Sequence, residues 1–181
     1  MFWEISINRL LVLQPKHLHT GVELMSVLAT QLIVEVNNMK GSEDHGYYVS
    51  PTYIQDIGQG RVRSITGAVA FPIQFKCIVF KPFKGEVLQG VIRKVFRTGC
   101  LISCGPLDDV FLHEKMMKGY GFFQNESIES ACFKNEDDGF EIRAKTVLVV
   151  RLIGVKWVED QRTFKALASI NGDYLGCVEE K

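Results

Sequence analysis

The sequence predicts an α+β fold in two consecutive parts, residues 1–80 and residues 81–181. A single amphipathic helix pattern occurs near the N-terminus, among several strand patterns. From Gly85 onward, only short strand patterns occur, and glycines and polar turns separate them. Apolar residues make up 46% of the chain, which is enough to form packed cores and argues against a disordered protein.

The first part opens with a strand and a helix. Apolar and polar residues alternate from Trp3 to Asn8, which predicts a half-buried strand over residues 2–13. Thr20 and Glu23 have the spacing of a capping box, so we expect a helix over about residues 22–36. Leucines recur at every fourth position of that helix, as in a helix that packs on a sheet.

Further strand patterns complete the first part. Residues 47–57 contain Pro51 and predict either an edge strand or a bent strand. Residues 67–71 and 73–80 predict two strands divided at Pro72, because proline cannot donate a ladder hydrogen bond. The intervening GQGR segment at 58–61 is interpreted as a flexible loop, since it lacks the third glycine and the following helix of a phosphate-binding loop.

The second part contains strand patterns only. Five are recognised, over residues 86–95, 100–104, 110–112, 146–155 and 161–170. Five short strands with glycine bends are typical of a closed OB barrel, a fold that binds oligonucleotides on one face. The polar and aromatic segment 119–139 is too irregular to assign.

The charge distribution limits the partners that the chain can bind. The net charge is zero, so any nucleic-acid site must be a local patch. Basic residues concentrate between residues 81 and 97, whereas acidic residues concentrate between 126 and 141. The basic segment predicts contact with an anionic partner.

The cysteines and histidines do not indicate a metal site. Cys100 and Cys104 would lie roughly 13 Å apart along one strand, too far for a disulfide, so we expect buried free thiols in a reducing compartment. The four histidines show no metal-ligand spacing relative to the cysteines, and no cofactor or metal is expected. No signal peptide or apolar run of membrane-spanning length is recognised, which predicts an intracellular protein without a membrane partner.

Catalysis is the weakest interpretation of the sequence. Asp108 and Asp109 are adjacent in an extended segment, so they point to opposite faces and make poor acid–base partners. Cys100 or Cys104 could be paired with His113 as nucleophile and base, but thiols buried in a strand are usually inert. The sequence therefore predicts a protein that is not an enzyme.

The segment that joins the two parts resembles a known family. Residues 78–87, IVFKPFKGEV, are similar to the domain junction of the seventh subunit of RNA polymerase II. Other matches follow in order along nearly the whole chain, at Met1-Phe2, Ile54 to Gly60, Gly105-Pro106 and Asp173 to Gly176. The family includes an archaeal counterpart of this subunit and paralogues in other polymerases.

Departures from the polymerase II pattern indicate a paralogue. Residues 37–50 and 127–139 differ, and Arg61 and Arg63 add charge. Plant RNA polymerases IV and V, which act in RNA-directed DNA methylation, contain such paralogues. The resemblance favours that assignment over an ordinary polymerase II subunit acting in mRNA transcription.

The resemblance implies a non-catalytic stalk subunit in the nucleus. Residues 1–80 would form a truncated ribonucleoprotein-like domain, and residues 81–181 an OB-fold domain. A fourth-subunit partner would complete a heterodimer on the RNA polymerase core. The tip of the first domain would dock on that core, and by match the tip comprises Gly58, Gln59, Gly60, Arg61 and Val62.

The resemblance also implies that the OB domain contacts nascent single-stranded RNA. Related RNA-binding domains carry two aromatic residues around a glycine on the second strand and a histidine after the third strand. Gly99 matches that glycine, but Thr98 and Leu101 replace the aromatic residues. The remaining candidates for weak, nonspecific RNA contact are Arg93, Lys94, Phe96, Arg97, Phe111, His113 and Lys115.

Two alternatives remain open for this site. Phe96 and Phe111 could be core aromatics, and the basic residues could be a solvated face. The domain could also be a scaffold that binds protein without RNA contact, through the acidic residues between 126 and 141.

Overall fold

A computed structural model of the chain describes residues 1–18, 23–123, 131–135 and 139–178. The described chain is mostly β-strand with one α-helix, as the sequence predicts. It divides into two compact units, Phe2–Lys81 and Pro82–Lys181, with Met1 assigned to the second.

The first unit is one helix on an antiparallel sheet. Its elements are β1 (Phe2–Leu13), α1 (Leu24–Asn37), β2 (Tyr47–Ile57), β3 (Arg61–Val62) and β4 (Val69–Phe80). The sheet order is β1-β4-β2, and β3 pairs with the start of β4. The predicted strand over residues 2–13 and the predicted edge position of 47–57 are confirmed.

The core of the first unit lies between α1 and the sheet. Leu24, the first leucine of the predicted stripe, is 41% exposed. Leu28, Leu32 and Val36 are buried, so the stripe is confirmed from Leu28 onward. They pack against apolar residues of β1 and β4, namely Leu11, Leu13, Ile73, Phe75, Cys77 and Val79. The N-cap is Glu23, and its side chain makes no capping hydrogen bond. Thr20 of the predicted capping box lies outside the described residues.

The predicted break at Pro72 is wrong, because β4 runs continuously through it. The Pro72 carbonyl accepts a hydrogen bond from the Gly58 N–H at 2.7 Å, on the side of β2 and β3. The N and the carbonyl of one strand residue point to the same side, so the missing N–H also faces that side. On that side of β4, strand β2 ends at Ile57 and β3 begins at Arg61, so no strand lies where it would need an N–H donor from Pro72.

The second unit contains strands and a 3-10 turn. Its strands are β5 (Val87–Phe96), β6 (Gly99–Cys104), β7 (Leu107–His113), β8 (Tyr120–Phe123), β9 (Cys132–Asn135), β10 (Glu141–Ile142), β11 (Val147–Val158), β12 (Thr163–Ser169) and β13 (Gly176–Cys177). All five predicted strand segments in this part of the chain are present, with ends that differ from the prediction by up to three residues.

Five of these strands form a closed cycle of hydrogen-bonded neighbours, β5-β6-β7-β12-β11 and back to β5. The β7–β12 pair is parallel, and the other pairs are antiparallel. Alternate residues face inward and are buried, among them Ile92, Cys100, Ile102, Val110, Leu112, Leu148, Val150, Leu152, Phe164 and Ala168. The second unit is therefore a small barrel with a filled interior.

The barrel is accompanied by a separate three-stranded sheet, ordered β10-β9-β8. Strands β8 and β9 lie in the segment 119–139 that the sequence left unassigned, and β10 follows it. Its strands are two to four residues long, too short for a periodic signal. The rings of Phe122 and Phe133 pack edge-to-face at 5.4 Å between centroids, and Phe133 is buried. Half of the predicted acidic segment 126–141, with five of its six acidic residues, lies outside the described residues. The sixth, Glu141, pairs with Lys134 at 3.3 Å and with Arg143.

None of the helices in the described ranges is both long enough and apolar enough to span a membrane.

Candidate nucleic-acid face and docking tip

The predicted RNA-binding residues Arg93, Lys94 and Phe96 lie together on β5. They line a depression of about 630 Å³ with Lys145 and small side chains from neighbouring segments. Phe96 is 47% exposed, so it is not a core aromatic. This set, Arg93, Lys94, Phe96 and Lys145, is called the β5 patch below. It combines cations with an exposed ring, as single-stranded nucleic-acid sites do.

The cations of the β5 patch differ in their neighbours. The Arg93 guanidinium lies 3.5 Å from the Asp108 carboxylate, which also accepts a hydrogen bond from the Ser103 hydroxyl at 2.6 Å. Part of the Arg93 charge is therefore already balanced. Lys94 and Lys145 have no carboxylate of any described residue within ion-pair distance, so they carry most of the patch's available positive charge.

Phe111 and His113 lie on β7 and do not line the β5 depression. Their ring centroids are 6.1 Å apart at 79°, an edge-to-face arrangement, and both side chains are half-buried. The His113 Nδ1 accepts a hydrogen bond from the Lys115 N–H at 3.1 Å and caps the 3-10 turn Glu114–Met116. Only Nε2 of His113 is thus left for a ligand.

Arg97 and Lys115 are exposed on two turns that are joined by a hydrogen bond. The Glu114 N–H donates to the Thr98 carbonyl at 3.1 Å, which links the β5–β6 turn to the 3-10 turn after β7. Gly99 permits this approach, because a Cβ there would lie 2.2 Å from the Leu112 carbonyl oxygen. The structure therefore brings Arg97 and Lys115 to one end of the barrel.

A second depression, which the sequence did not predict, lies on the outer face of β6, β7, β11 and β12. Its volume is about 500 Å³, and Phe111 is one of its walls. The residues that sequence reasoning missed there are Lys156, Lys165 and Leu167. Strand alternation alone could have marked them as outward-facing. Which of these residues lie opposite each other depends on the pairing of β11 with β12, and the register of that pairing changes at a bulge between Leu152 and Gly154.

The predicted docking residues form the turn between β2 and β4. The sequence predicts a flexible loop over residues 58–61. In the structure Gly58 lies close against β4, where a Cβ on it would lie 2.5 Å from the Pro72 Cγ. A Cβ at Gly60 would lie 2.6 Å from the Phe71 ring. Neither glycine is required by a left-handed backbone conformation. Both allow the segment to pack closely against β4.

The surface of this docking tip, residues 58–62, is apolar and basic. Arg61 and Val62 form β3, and Val62 is 70% exposed. A depression of about 510 Å³ there is lined by Leu10, Gln59, Arg61, Val62, Arg63, Ala70 and Pro72. Leu10 is 54% exposed. Exposed aliphatic side chains beside arginines are a composition typical of protein–protein interfaces.

The thiols proposed as alternative nucleophiles are buried in the barrel. Burial raises the pKa of Cys100 to about 12 and that of Cys104 to about 11. The thiolate is the reactive form, so these side chains are not nucleophilic near neutral pH. Among the residues that the structure describes, no group of three or more His, Cys, Asp or Glu side chains could hold a metal ion.

Comparison with known proteins identifies the family. No protein-family model matches the chain. It is 38% identical over 161 residues to DNA-directed RNA polymerase V subunit 7 of Arabidopsis thaliana, covering 89% of this chain and 88% of that protein. It is 33% identical to the Arabidopsis RNA polymerase IV subunit 7, with 97% and 99% of the two chains covered. It is 28% identical to RNA polymerase II subunit RPB7 of Glycine max, with 99% and 98% covered. Similarity at this level over most of each sequence shows that the chain belongs to the DNA-directed RNA polymerase subunit 7 family.

Proposed function

We propose that this chain is a non-catalytic stalk subunit of a plant DNA-directed RNA polymerase of the IV or V type, acting in the nucleus in RNA-directed DNA methylation. The observation that carries the proposal is the order of identities, 38% and 33% to the V and IV subunits against 28% to the soybean polymerase II subunit. The alternative is an ordinary polymerase II stalk subunit in mRNA transcription.

The two units suit this role as a truncated ribonucleoprotein-like domain, residues 1–80, and an OB-fold domain, residues 81–181. The strand order supports the second assignment. If the five barrel strands β5, β6, β7, β11 and β12 are numbered one to five in chain order, their order around the barrel is one-two-three-five-four. Strands three and five are parallel. A Greek-key barrel of five strands with this order is the OB architecture.

The first domain docks on the polymerase core through the docking tip. Val62 supplies exposed apolar area, and Arg61 supplies a charge without an ion pair to any described residue. The close packing of Gly58 and Gly60 on β4 supports a surface that is pre-organised for docking. Pre-organisation of this kind lowers the entropy lost on binding. A fourth-subunit partner completes the stalk as a heterodimer.

The barrel contacts nascent single-stranded RNA weakly and without sequence preference. The contact residues are Arg93, Lys94, Phe96, Arg97, Phe111, His113 and Lys115. The exposure of Phe96 beside Lys94 supports base stacking next to a phosphate contact. Binding that depends on lysine and arginine falls as salt rises.

A scaffold role without RNA contact is the second candidate. The ion pair between Arg93 and Asp108 favours it, because a paired arginine contributes less to phosphate binding. A scaffold would associate with the polymerase and leave no crosslink to RNA.

Affinity purification of the tagged chain from plant nuclei tests the proposal. We expect the largest subunit of RNA polymerase IV or V among the co-purifying proteins. Recovery of the polymerase II largest subunit alone would establish the alternative. Ultraviolet crosslinking on the same material distinguishes the RNA-contacting subunit from the scaffold, because only the former yields RNA joined to this chain.

A further inference from the structure

A tight turn joins β3 to β4 beside the docking tip. Two backbone hydrogen bonds of 2.8 Å close it: the Arg63 N–H donates to the Ala68 carbonyl, and the Gly67 N–H donates to the Arg63 carbonyl. Residues 64–66 project beyond these bonds, and all three are exposed. Ile65, at their centre, is 98% exposed. The turn therefore presents a short segment of chain to solvent.

The sequence of this turn has a charge pattern that arginine-directed protein kinases recognise. Such kinases bind an arginine three residues before the acceptor hydroxyl through acidic side chains of their own. An arginine stands three residues before a hydroxyl at three places in the chain, before Ser64, Thr66 and Thr146. The sequence alone does not distinguish these three candidates.

The structure distinguishes them by the surroundings of each hydroxyl. The Thr66 hydroxyl accepts a hydrogen bond from the Ala68 N–H at 3.4 Å, and the Thr146 hydroxyl accepts one from the Arg143 N–H at 3.2 Å. Thr146 is also half-buried, whereas Ser64 is exposed. The Ser64 hydroxyl makes no hydrogen bond to any described residue. Ser64 is therefore the candidate that a kinase can reach without disturbing a hydrogen bond of the folded chain.

The backbone before Ser64 also suits a kinase. Arg61 and Val62 form β3, which in the described chain pairs only with β4, so its other edge is open. An extended segment with an open edge can be bound through its backbone by another protein. Arg61 and Arg63 line the same depression, and neither has a carboxylate of a described residue within ion-pair distance. Both guanidinium groups are thus available to the acidic side chains of a kinase.

We propose that Ser64 is a phosphorylation site for arginine-directed serine kinases and that its phosphorylation releases the docking tip from the polymerase. The second part rests on the proposed function. In the reaction the Ser64 Oγ forms a bond to the γ-phosphorus of ATP, and the bond from that phosphorus to the bridging oxygen of ADP breaks. ADP leaves, and the hydroxyl proton passes to a base of the kinase.

A phosphate on Ser64 reverses the effect of the neighbouring arginines. A phosphoserine carries about −1.5 to −2 charges near neutral pH and forms charge-assisted hydrogen bonds with arginine. Arg61 and Arg63 together carry two positive charges, so the phosphate cancels most of the charge that the tip offers to the polymerase core. Charge complementarity steers association and suppresses wrong contacts, so its loss weakens docking.

The first test maps phosphate on the purified full chain after incubation with ATP and a recombinant serine kinase that selects arginine three residues before the acceptor. We expect phosphate on Ser64, with incorporation roughly tenfold slower in Ser64→Ala and in Arg61→Gln. Thr66→Ala, the matched control from the same turn, should keep the wild-type rate. Phosphate on Thr66 or Thr146 instead of Ser64, or equal rates in wild type and Ser64→Ala, would overturn the site.

The second test uses the kinase-treated and the untreated tagged chain to recover polymerase from plant nuclear extract that contains kinase and phosphatase inhibitors. Phosphorylation should lower recovery of the largest polymerase subunit by wild type roughly tenfold. The same treatment should leave recovery by Ser64→Ala at the level of untreated wild type. Equal recovery by phosphorylated and untreated wild type would overturn release of the tip. A chain that accepts phosphate on Ser64 but recovers no polymerase in either form would support the site and contradict the proposed function.

Discussion

Gly99 illustrates how a single residue determines the geometry of the candidate RNA face. Its φ is 150°, and a Cβ there would lie 2.2 Å from the Leu112 carbonyl oxygen and 3.0 Å from the Phe111 ring. The first of these contacts is with backbone, so it cannot be relieved by a rotamer change. The absence of a side chain lets β6 and β7 approach where Phe111 is held.

Gly99→Ala should therefore lower the free energy of unfolding by about 3 kcal/mol, through overpacking and backbone strain. Urea denaturation followed by circular dichroism measures the effect. Gly154→Ala is the matched control, since its Cβ meets nothing within 4 Å and the change should stay within about 0.5 kcal/mol. Equal stability of the two variants would contradict the packing that the structure assigns to Gly99.

The buried thiols predict an alkaline dependence of stability. Burial raises the pKa of Cys100 to about 12 and of Cys104 to about 11, from an ordinary value of 9.0. Above 9.0 the unfolded chain releases these protons while the folded chain keeps them, so stability falls as pH rises. Below 9.0 both states are protonated, and the thiols contribute no pH dependence.

Between about pH 8 and about pH 10, we expect the two thiols together to remove about 2 kcal/mol from the free energy of unfolding. Urea titrations at the two pH values measure the loss. Cys100→Ala/Cys104→Ala should show a smaller decrease, because other groups that titrate in this range remain. An equal decrease in both proteins would show that the thiols are not buried.

At the scale of elements, local pattern was sufficient for most strands and for α1. Alternation predicted β1, and the leucine spacing predicted the buried face of the helix. The prediction of a break at Pro72 was wrong because a proline interrupts a strand only where a neighbouring strand needs its N–H. Here β2 ends at Ile57 and β3 begins at Arg61, so neither strand lies opposite Pro72. The short strands β8, β9 and β10 carry too few residues for a periodic signal.

The candidate site was less predictable from the sequence than the fold. The residue types that suit RNA contact were recognisable, and Phe96 is indeed exposed. The sequence did not predict that these residues divide between the β5 patch and a separate depression. That division depends on which strands become neighbours in the barrel. Lys156 and Lys165 meet only through the register of β11 with β12 after the bulge at Leu152/Gly154.

Helix α1 predicts a clear contrast between its two faces. Leu28 is fully buried, whereas Ile33 is 48% exposed. Leu28→Ala should destabilise the chain by about 2–5 kcal/mol, because it leaves a cavity against the sheet. Ile33→Ala should cost less than about 1 kcal/mol. Thermal denaturation of the two variants measures the difference, and similar losses would contradict the orientation of the helix.

At the scale of the whole molecule, two units carry two kinds of surface. The first has an apolar and basic docking tip, and the second has a barrel with cationic depressions. The proposed function assigns the polymerase core to the tip and RNA to the barrel. A change at the tip should therefore separate the two activities.

The most direct measurement compares tagged wild type with Arg61→Glu/Val62→Asp by affinity purification from plant nuclei, with Lys40→Glu as an exposed control in the same unit. We expect wild type and Lys40→Glu to recover the largest subunit of RNA polymerase IV or V. The tip variant should lose it and still bind oligouridine as purified protein. Equal recovery by all three proteins would contradict docking through the tip, and recovery of polymerase II alone would contradict the assignment to a IV or V type polymerase.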